Sequence, residues 1–330
     1  MPLKKIVYLL GAGASHAEIL NVQDEPSQKL LSKNGLLISH VSERVMKAAQ
    51  ISPGFKSNVE FVTSAEGSLN IELLISLLAS NQIPNVDQKV NVLKRLVQSD
   101  IMKILSPNRK QPFYLHKALL ELHSLVEDRE NLLGIISLNY DDILDEAYQA
   151  NRVEIDYCHT PHRGEKWPLL KLHGSFNWTK ITTYGRAKAI PIIPLGINKN
   201  YLAPPYNFIW GKAFDILAQC HVLRIIGCSL DRNDIGLIDL LFKVHLEKAD
   251  PIEMQVIDFQ GKADEIKKNY GFFPGIVKPR DIERSLIADG QILSPDLIGN
   301  PFKIWLKAKA ERMLGDGVRR TKYLRKCFDI

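Results

Sequence analysis

Four short stretches of this chain pair an apolar run with a polar turn able to do chemistry. In Gly11-Ala12-Gly13-Ala14-Ser15 two glycines let the backbone come close to a pyrophosphate. A helix starting there offers unpaired N–H groups and the positive end of its dipole, and Ser15 adds a hydroxyl donor. An ordinary tight strand-to-helix turn would look the same, and His16 stands where a dehydrogenase fingerprint has its third glycine. Ser137-Leu138-Asn139-Tyr140-Asp141-Asp142 follows a second apolar run; Asn139 and Asp141 suit either a polar site or a helix cap. In Leu170-Lys171-Leu172-His173-Gly174-Ser175 the imidazole sits at a strand end before glycine, placed to face a cleft. It is either a general base near neutral pH or a satisfied structural histidine. Ile225-Ile226-Gly227-Cys228-Ser229 repeats the strand, glycine and hydroxyl pattern, so that Gly227 and Ser229 face a phosphate or ribose opposite the first turn. Cys228 has no histidine beside it in sequence and reads as a buried thiol.

The elements that must carry these turns follow from hydrophobic periodicity. Continuous apolar runs predict buried strands at Leu3–Leu10, Leu132–Leu138, Leu169–Leu172, His221–Ile226 and Glu253–Phe259, with short ones at Val153–Tyr157 and Ile190–Ile193. Apolar residues three and four apart predict helices at Leu36–Ala49, Ile71–Ala79, Val86–Leu105, Phe113–Val126, Asp141–Ala150, Asn207–Gln219 and Asp234–Lys248. Strands alternating with helices indicate an α/β fold: a Rossmann-like parallel sheet with helices on both faces. The helical stretch 35–126 is too long for a plain crossover and reads as an inserted module. The expected organisation is a catalytic domain from 1–34 and 127–260, the module at 35–126, and a C-terminal helical extension with a basic tail at 261–330. In sheets of this kind ligands sit beyond the carboxyl ends of the strands, where all four turns fall.

The composition is that of a globular protein, 45% hydrophobic and 24% charged. Its net charge of +6 resides in the last 28 residues, which hold nine Lys or Arg against three Asp or Glu. The run Arg319, Arg320, Lys322, Arg325, Lys326 suits either a solvated helix end or contact with nucleic acid or an acidic partner. Four scattered cysteines, none in a C-x-x-C pair, argue against a zinc ribbon or a disulfide scaffold and fit a reducing cytoplasm. Cys158, His159 and His162 form a partial ligand set with no evident fourth member, so no metal is expected. Phe176 and Trp178 either wall a cleft or pack in the core. No apolar run is long enough to span a membrane, and Ile6–Leu10 is short for a secretory signal.

Taken in order, GAGAS, SLNYDDILDEAY, LLKLHGSFNW and IIGCSLD resemble the sirtuin-like NAD-hydrolase family, the branch found in bacterial anti-phage defence. Ser68–Leu74 also looks like that family's first helical insert. The resemblance runs from about residue 3 to 260 and implies NAD as substrate. It implies that Gly11, Ala12, Gly13 and Ser15 cradle the pyrophosphate. Asn139 would hold the nicotinamide ribose and the attacking water, Asp141 would lie near that ribose, and His173 would be the catalytic histidine. Gly227 and Ser229 would meet the phosphate–ribose side, and Asp258 the adenine ribose. It also implies a homo-oligomer and a HerA-type ATPase or Argonaute-like partner. The chain lacks the two C-x-x-C pairs of deacylase sirtuins, and His16-Ala17-Glu18-Ile19 replaces their Gly-Ile-Pro-Asp-Phe-Arg-like loop. A deacylase, an ADP-ribosyltransferase, a non-catalytic NAD or ADP-ribose-binding subunit and a dehydrogenase stand as alternatives.

Overall fold

A computed structural model describes residues 3–22, 35–52, 54–66, 70–80, 85–108, 114–125, 127–128, 130–160, 167–180, 192, 203–230, 234–248, 250, 252–258 and 300–314. Five parallel strands, β1 (Lys4–Leu10), β2 (Glu130–Ser137), β3 (Leu169–Lys171), β4 (Val222–Ile226) and β5 (Glu253–Ile257), form one sheet in the order β3-β2-β1-β4-β5. From central β1 the chain builds outward through β2 and β3, then crosses to β4 on the other side. The strand order therefore reverses beside β1, the point at which open α/β sheets leave a crevice.

Ten α-helices lie among the described residues: α1 (Ala12–Val22), α2 (Ile38–Gln50), α3 (Lys56–Glu66), α4 (Ile71–Ser80), α5 (Val86–Asn108), α6 (Leu115–Leu125), α7 (Ile143–Ala150), α8 (Tyr206–Gln219), α9 (Ile235–Glu247) and α10 (Pro301–Leu314). Alternation along β1 sends Ile6, Tyr8 and Leu10 to one face, where they pack with residues of α1, α6, α7 and α10. Val7 and Leu9 point to the other face, under α8 and α9. The sheet is thus covered on both sides, which is why its strands read as continuous apolar runs. Helices α2 to α5 share a separate core with Ile19, Tyr140, Ile143 and Phe176. That core stands over the carboxyl ends of β1 and β2. Helix α6, within the 35–126 stretch, packs on the sheet instead.

Two expectations need correction. Val153–Tyr157 is not a strand: it meets β3 through Leu169 N donating to Asp156 O at 2.9 Å, without a ladder. Val153, Ile155 and Tyr157 do pack inward at alternate positions, so the period-two pattern reflects burial without a ladder. Helix α3 was not foreseen, since beyond Val59 and Val62 its sequence is polar and its Phe61 faces outward. Ile190–Ile193 lies outside the described residues apart from Ile192, which bridges Gly174. The basic run 319–326 also lies outside them, and among the described residues no helix is long and apolar enough to cross a membrane.

The turns after β1 and β4 touch backbone to backbone. Gly11 N donates to Ile226 O at 3.0 Å, and Gly13 N to Gly227 O at 2.9 Å. A Cβ on Gly13 would lie 2.6 Å from Gly227 Cα, and one on Gly11 would lie 2.5 Å from Gly227 O. Gly227 has φ +58° and would place a Cβ 2.3 Å from Ala14 N. Here the glycines are required by each other, before any ligand is considered.

A buried polar group fastens α10 and α6 to the sheet. Arg224 donates to both oxygens of Glu130 at 2.7 and 2.8 Å and to Tyr8 Oη at 2.9 Å. Lys309 Nζ reaches Glu130 at 2.9 Å, and Tyr8 Oη lies 2.7 Å from His123 Nε2. Burial, reinforced by Arg224 and Lys309, pushes His123 down to about 3. Burial alone would raise Glu130, but the bonds and charges of Arg224 and Lys309 hold it at about 2.

Gly227→Ala is expected to lower the unfolding free energy in urea by about 2 kcal/mol or more, since both strain and collision act there. Gly211→Ala in α8, where an added Cβ meets nothing within 4 Å, should leave stability equal or higher. The histidine makes a second expectation. His123 stays neutral in the fold down to about 3, whereas the unfolded chain takes up its proton near 6.5. Stability therefore falls as pH drops through that window, and the Glu130 contribution is lost only from about 4.5 down to about 2. Between pH 6.5 and 4.5, His123→Gln should remove about 1.4 kcal/mol per pH unit of slope from urea-derived stability.

Candidate active site

The crevice beside β1 is a cavity of about 290 Å³, bounded by the turns after the strands and by the helices above them. All ten residues singled out from the sequence line it: Gly11, Ala12, Gly13, Ser15, Asn139, Asp141, His173, Gly227, Ser229 and Asp258. They come from the ends of all five strands. Leu36, Val41, Val97 and Ile101, from α2, α5 and the segment before α2, supply an apolar wall on the helical side.

Asn139 and Ser15 meet through one chain of bonds. Asn139 Nδ2 donates to Gly11 O at 2.9 Å and to Ser15 Oγ at 2.8 Å. Ser15 Oγ in turn donates to Asp141 Oδ2 at 2.7 Å. A backbone carbonyl can only accept, which fixes the direction of the Asn139 amide. Both its N–H donors are therefore spent, and Oδ1, an acceptor, is what this carboxamide has to offer a ligand. The Ser15 hydroxyl, read from sequence as a donor to a phosphate, is committed to Asp141. The N–H groups of Gly11, Gly13 and Ala14 are likewise committed, to Ile226 O, Gly227 O and Gly11 O, so for that task α1 keeps the positive end of its dipole.

Asp141 is buried, and burial pushes its carboxyl up against the opposing pull of Lys171 and the Ser15 bond. It also accepts from Ile143 N, at the start of α7, at 3.2 Å. Beneath it lies Lys171, fully buried, donating at 2.6 Å each to Asp141 O, Asp145 Oδ2 and Ser175 Oγ. One ammonium thus uses its three donors to tie the 139–142 loop to α7 and to the turn after β3. Asp145 also accepts from Tyr157 and Asn177.

His173 sits in the tight turn after β3, where Gly174 has φ +80° and its N–H closes back on Lys171 O at 3.1 Å. Its ring stacks near Trp210, with centroids 6.3 Å apart and planes at 24°, and faces Tyr140 at 6.5 Å. Trp210 is held by its own bond to Leu172 O at 3.1 Å. His173 Nε2 lies 3.3 Å from Asp234 Oδ2, and both side chains are almost wholly buried. Tyr140 Oη donates to Glu72 Oε1 at 3.1 Å, and burial, with Glu72 close by, pushes that phenol well above its ordinary range.

Sequence reasoning did not pick out Asp234, Tyr140, Glu72 or Lys171. Asp234 stands there only as the first residue of a predicted helix, and its Oδ1 caps that helix by accepting from Leu237 N at 3.3 Å. Glu72 falls in the Ser68–Leu74 stretch, whose resemblance was the available signal. Phe176 and Trp178 are buried in the two cores, so packing is their observed part. Burial pushes the Cys158 thiol up to about 12, and no cluster of three or more possible metal ligands occurs among the described residues. His162 lies outside them.

Residues 134–256 match the family described as the SIR2-like domain. No curated protein matches the chain. Solved structures that resemble it include one described under the mechanism and regulation of Sir2 enzymes, at 15% identity and TM-score 0.41, with 94% of this chain and 93% of that one covered. Another is Sir2 with the inhibitor EX-527, 2'-O-acetyl-ADP-ribose and a deacetylated p53 peptide, at 13% identity and TM-score 0.35, covering 86% and 93%. A third is Sir2 with a p53 peptide and NAD+, at 13% identity and TM-score 0.34, covering 86% and 92%. The match runs from within β2 through β3 and β4 into β5 and takes in three of the turns that line the cavity, so over these residues the chain carries a SIR2-like domain.

Proposed function

We propose that the chain is an NAD glycohydrolase that cleaves the nicotinamide–ribose bond with water, giving nicotinamide and ADP-ribose. One observation carries the reading. Residues chosen from four separated turns and a fifth strand end line a single cavity, in a chain with a SIR2-like domain. The side-chain-free turn at Gly11–Gly13 would let the pyrophosphate approach closely, and the positive end of the α1 dipole would hold its charge. Gly227 and Ser229 would meet its other side, and Asp258 would accept from the adenine ribose hydroxyls.

The bond to be cut needs little nucleophilic help. Nicotinamide leaves as a neutral base from a cationic ring, and the ribose carbon tolerates an oxocarbenium-like transition state. Positioning and a polar, partly dehydrated pocket supply most of the rate. The Asn139 carbonyl oxygen would accept from a ribose hydroxyl or from the attacking water. His173 would take the proton released as the water oxygen bonds to the ribose carbon. The apolar helical wall would limit bulk water. The same reading extends to the setting implied by the resemblance, a cytoplasmic homo-oligomer of the anti-phage branch, depleting NAD when a HerA-type ATPase or Argonaute-like partner releases it.

Incubation of the protein with NAD, alone and with proteins encoded by neighbouring genes, should release nicotinamide without an acylated peptide. Asn139→Ala and His173→Ala should each lower that release by about 10²-fold or more, with circular dichroism unchanged. Full turnover by both variants, or release only with an acylated peptide or protein acceptor, would overturn the assignment.

A further inference from the structure

Asp234 is more than its helix requires. Its Oδ1 caps α9 through Leu237 N, a task that Asn or Ser performs about as well. A carboxylate buried to 1% exposure carries a desolvation cost of several kcal/mol that those neutral residues avoid. What its charge meets is His173: Oδ2 lies 3.3 Å from Nε2, inside the cavity that both residues line. The two come from different places in the chain, the turn after β3 and the start of α9. The rings of Trp210 and Tyr140 also lie near it, with centroids 6.3 and 6.5 Å away.

We infer that Asp234 is a positioning residue for His173, acting with it as an imidazole–carboxylate pair. The inference rests on the proposed cleavage of NAD. A carboxylate against one ring nitrogen favours the tautomer that carries its hydrogen there. It also stabilises the positive charge that appears when the ring takes a proton from water. The proton moves to the imidazole and the carboxylate stays ionised, so nothing else is consumed. At 3.3 Å the two atoms make a close ion-pair approach without the geometry of a hydrogen bond. Catalytic contacts of this kind commonly shorten once substrate is bound.

The test is Asp234→Asn in the full chain, with Asp234→Ser as a second cap-preserving variant should the first fail to fold. A positioning role predicts that kcat falls by about 10²–10⁴-fold while KM for NAD and the thermal midpoint hold. It also predicts that adding Asp234→Asn to His173→Ala costs no further activity. A role confined to the helix cap predicts near wild-type kcat in the Asn and Ser variants. That result beside an inactive His173→Ala would overturn this inference and leave the NAD reading standing. Full activity of His173→Ala would likewise overturn this inference, whereas absence of nicotinamide release by the wild-type protein would instead overturn the NAD reading. The pair would then be judged from ¹⁵N shifts of the His173 ring at fixed pH. Wild type should favour the Nε2–H tautomer and Asp234→Asn should lose that preference; identical shifts in the two would overturn the pairing.

Discussion

The site depends on a contact with no side chains in it. The turns after β1 and β4 meet so closely that Gly11, Gly13 and Gly227 each occupy space a methyl group would need. This contact, fastened by the Gly13 N to Gly227 O bond, brings the ends of two neighbouring strands into one floor. From that floor the other polar groups take their places. Gly11 offers its carbonyl to Asn139, and the opening of α1 carries Ser15 to the same amide. Loss of a single hydrogen atom's worth of room at these glycines would separate the strands that the rest of the cavity is measured from.

Much of this architecture was legible in the residues. The apolar runs at Ile6–Leu10 and Val222–Ile226 could only be strands covered on both faces, and strand-end turns are where such sheets place their sites. Legibility failed where the reason for a residue is not local. Val153–Tyr157 alternates like a strand because one side of it is buried, and sequence cannot report that no ladder forms. Helix α3 is held by Val59 and Val62 against neighbouring helices, which its own sequence barely signals. Lys171 looks like a stray charge in an apolar strand until Asp141, Asp145 and Ser175 are seen around it. Asp234 satisfies a local cap rule, and that local explanation conceals the histidine across the cavity.

Two sets of buried polar groups lie toward opposite ends of the sheet. Around Arg224, Glu130, Lys309, Tyr8 and His123, every role is structural: the group joins α10 and α6 to the strands and lies away from the cavity. Around Asn139, Ser15 and Asp141, the bonds fix the direction of an amide that faces a ligand space. Burial acts on both sets, yet with different results. The first holds its charges in mutual satisfaction; the second keeps acceptors turned toward an opening.

The bond from Tyr140 to Glu72 has a mechanical meaning. Tyr140 stands between Asn139 and Asp141, and Glu72 belongs to α4, outside the sheet. The 139–142 loop is therefore pinned on one side by the Lys171 ammonium and on the other by a helix of the overlying bundle. Whatever displaces α4, be it a neighbouring subunit or a bound protein, pulls on the same few residues that aim the carboxamide. Movement of the bundle would thus be felt beside Asn139, through the Tyr140 hydroxyl and through the core that Tyr140 and Ile143 share with these helices.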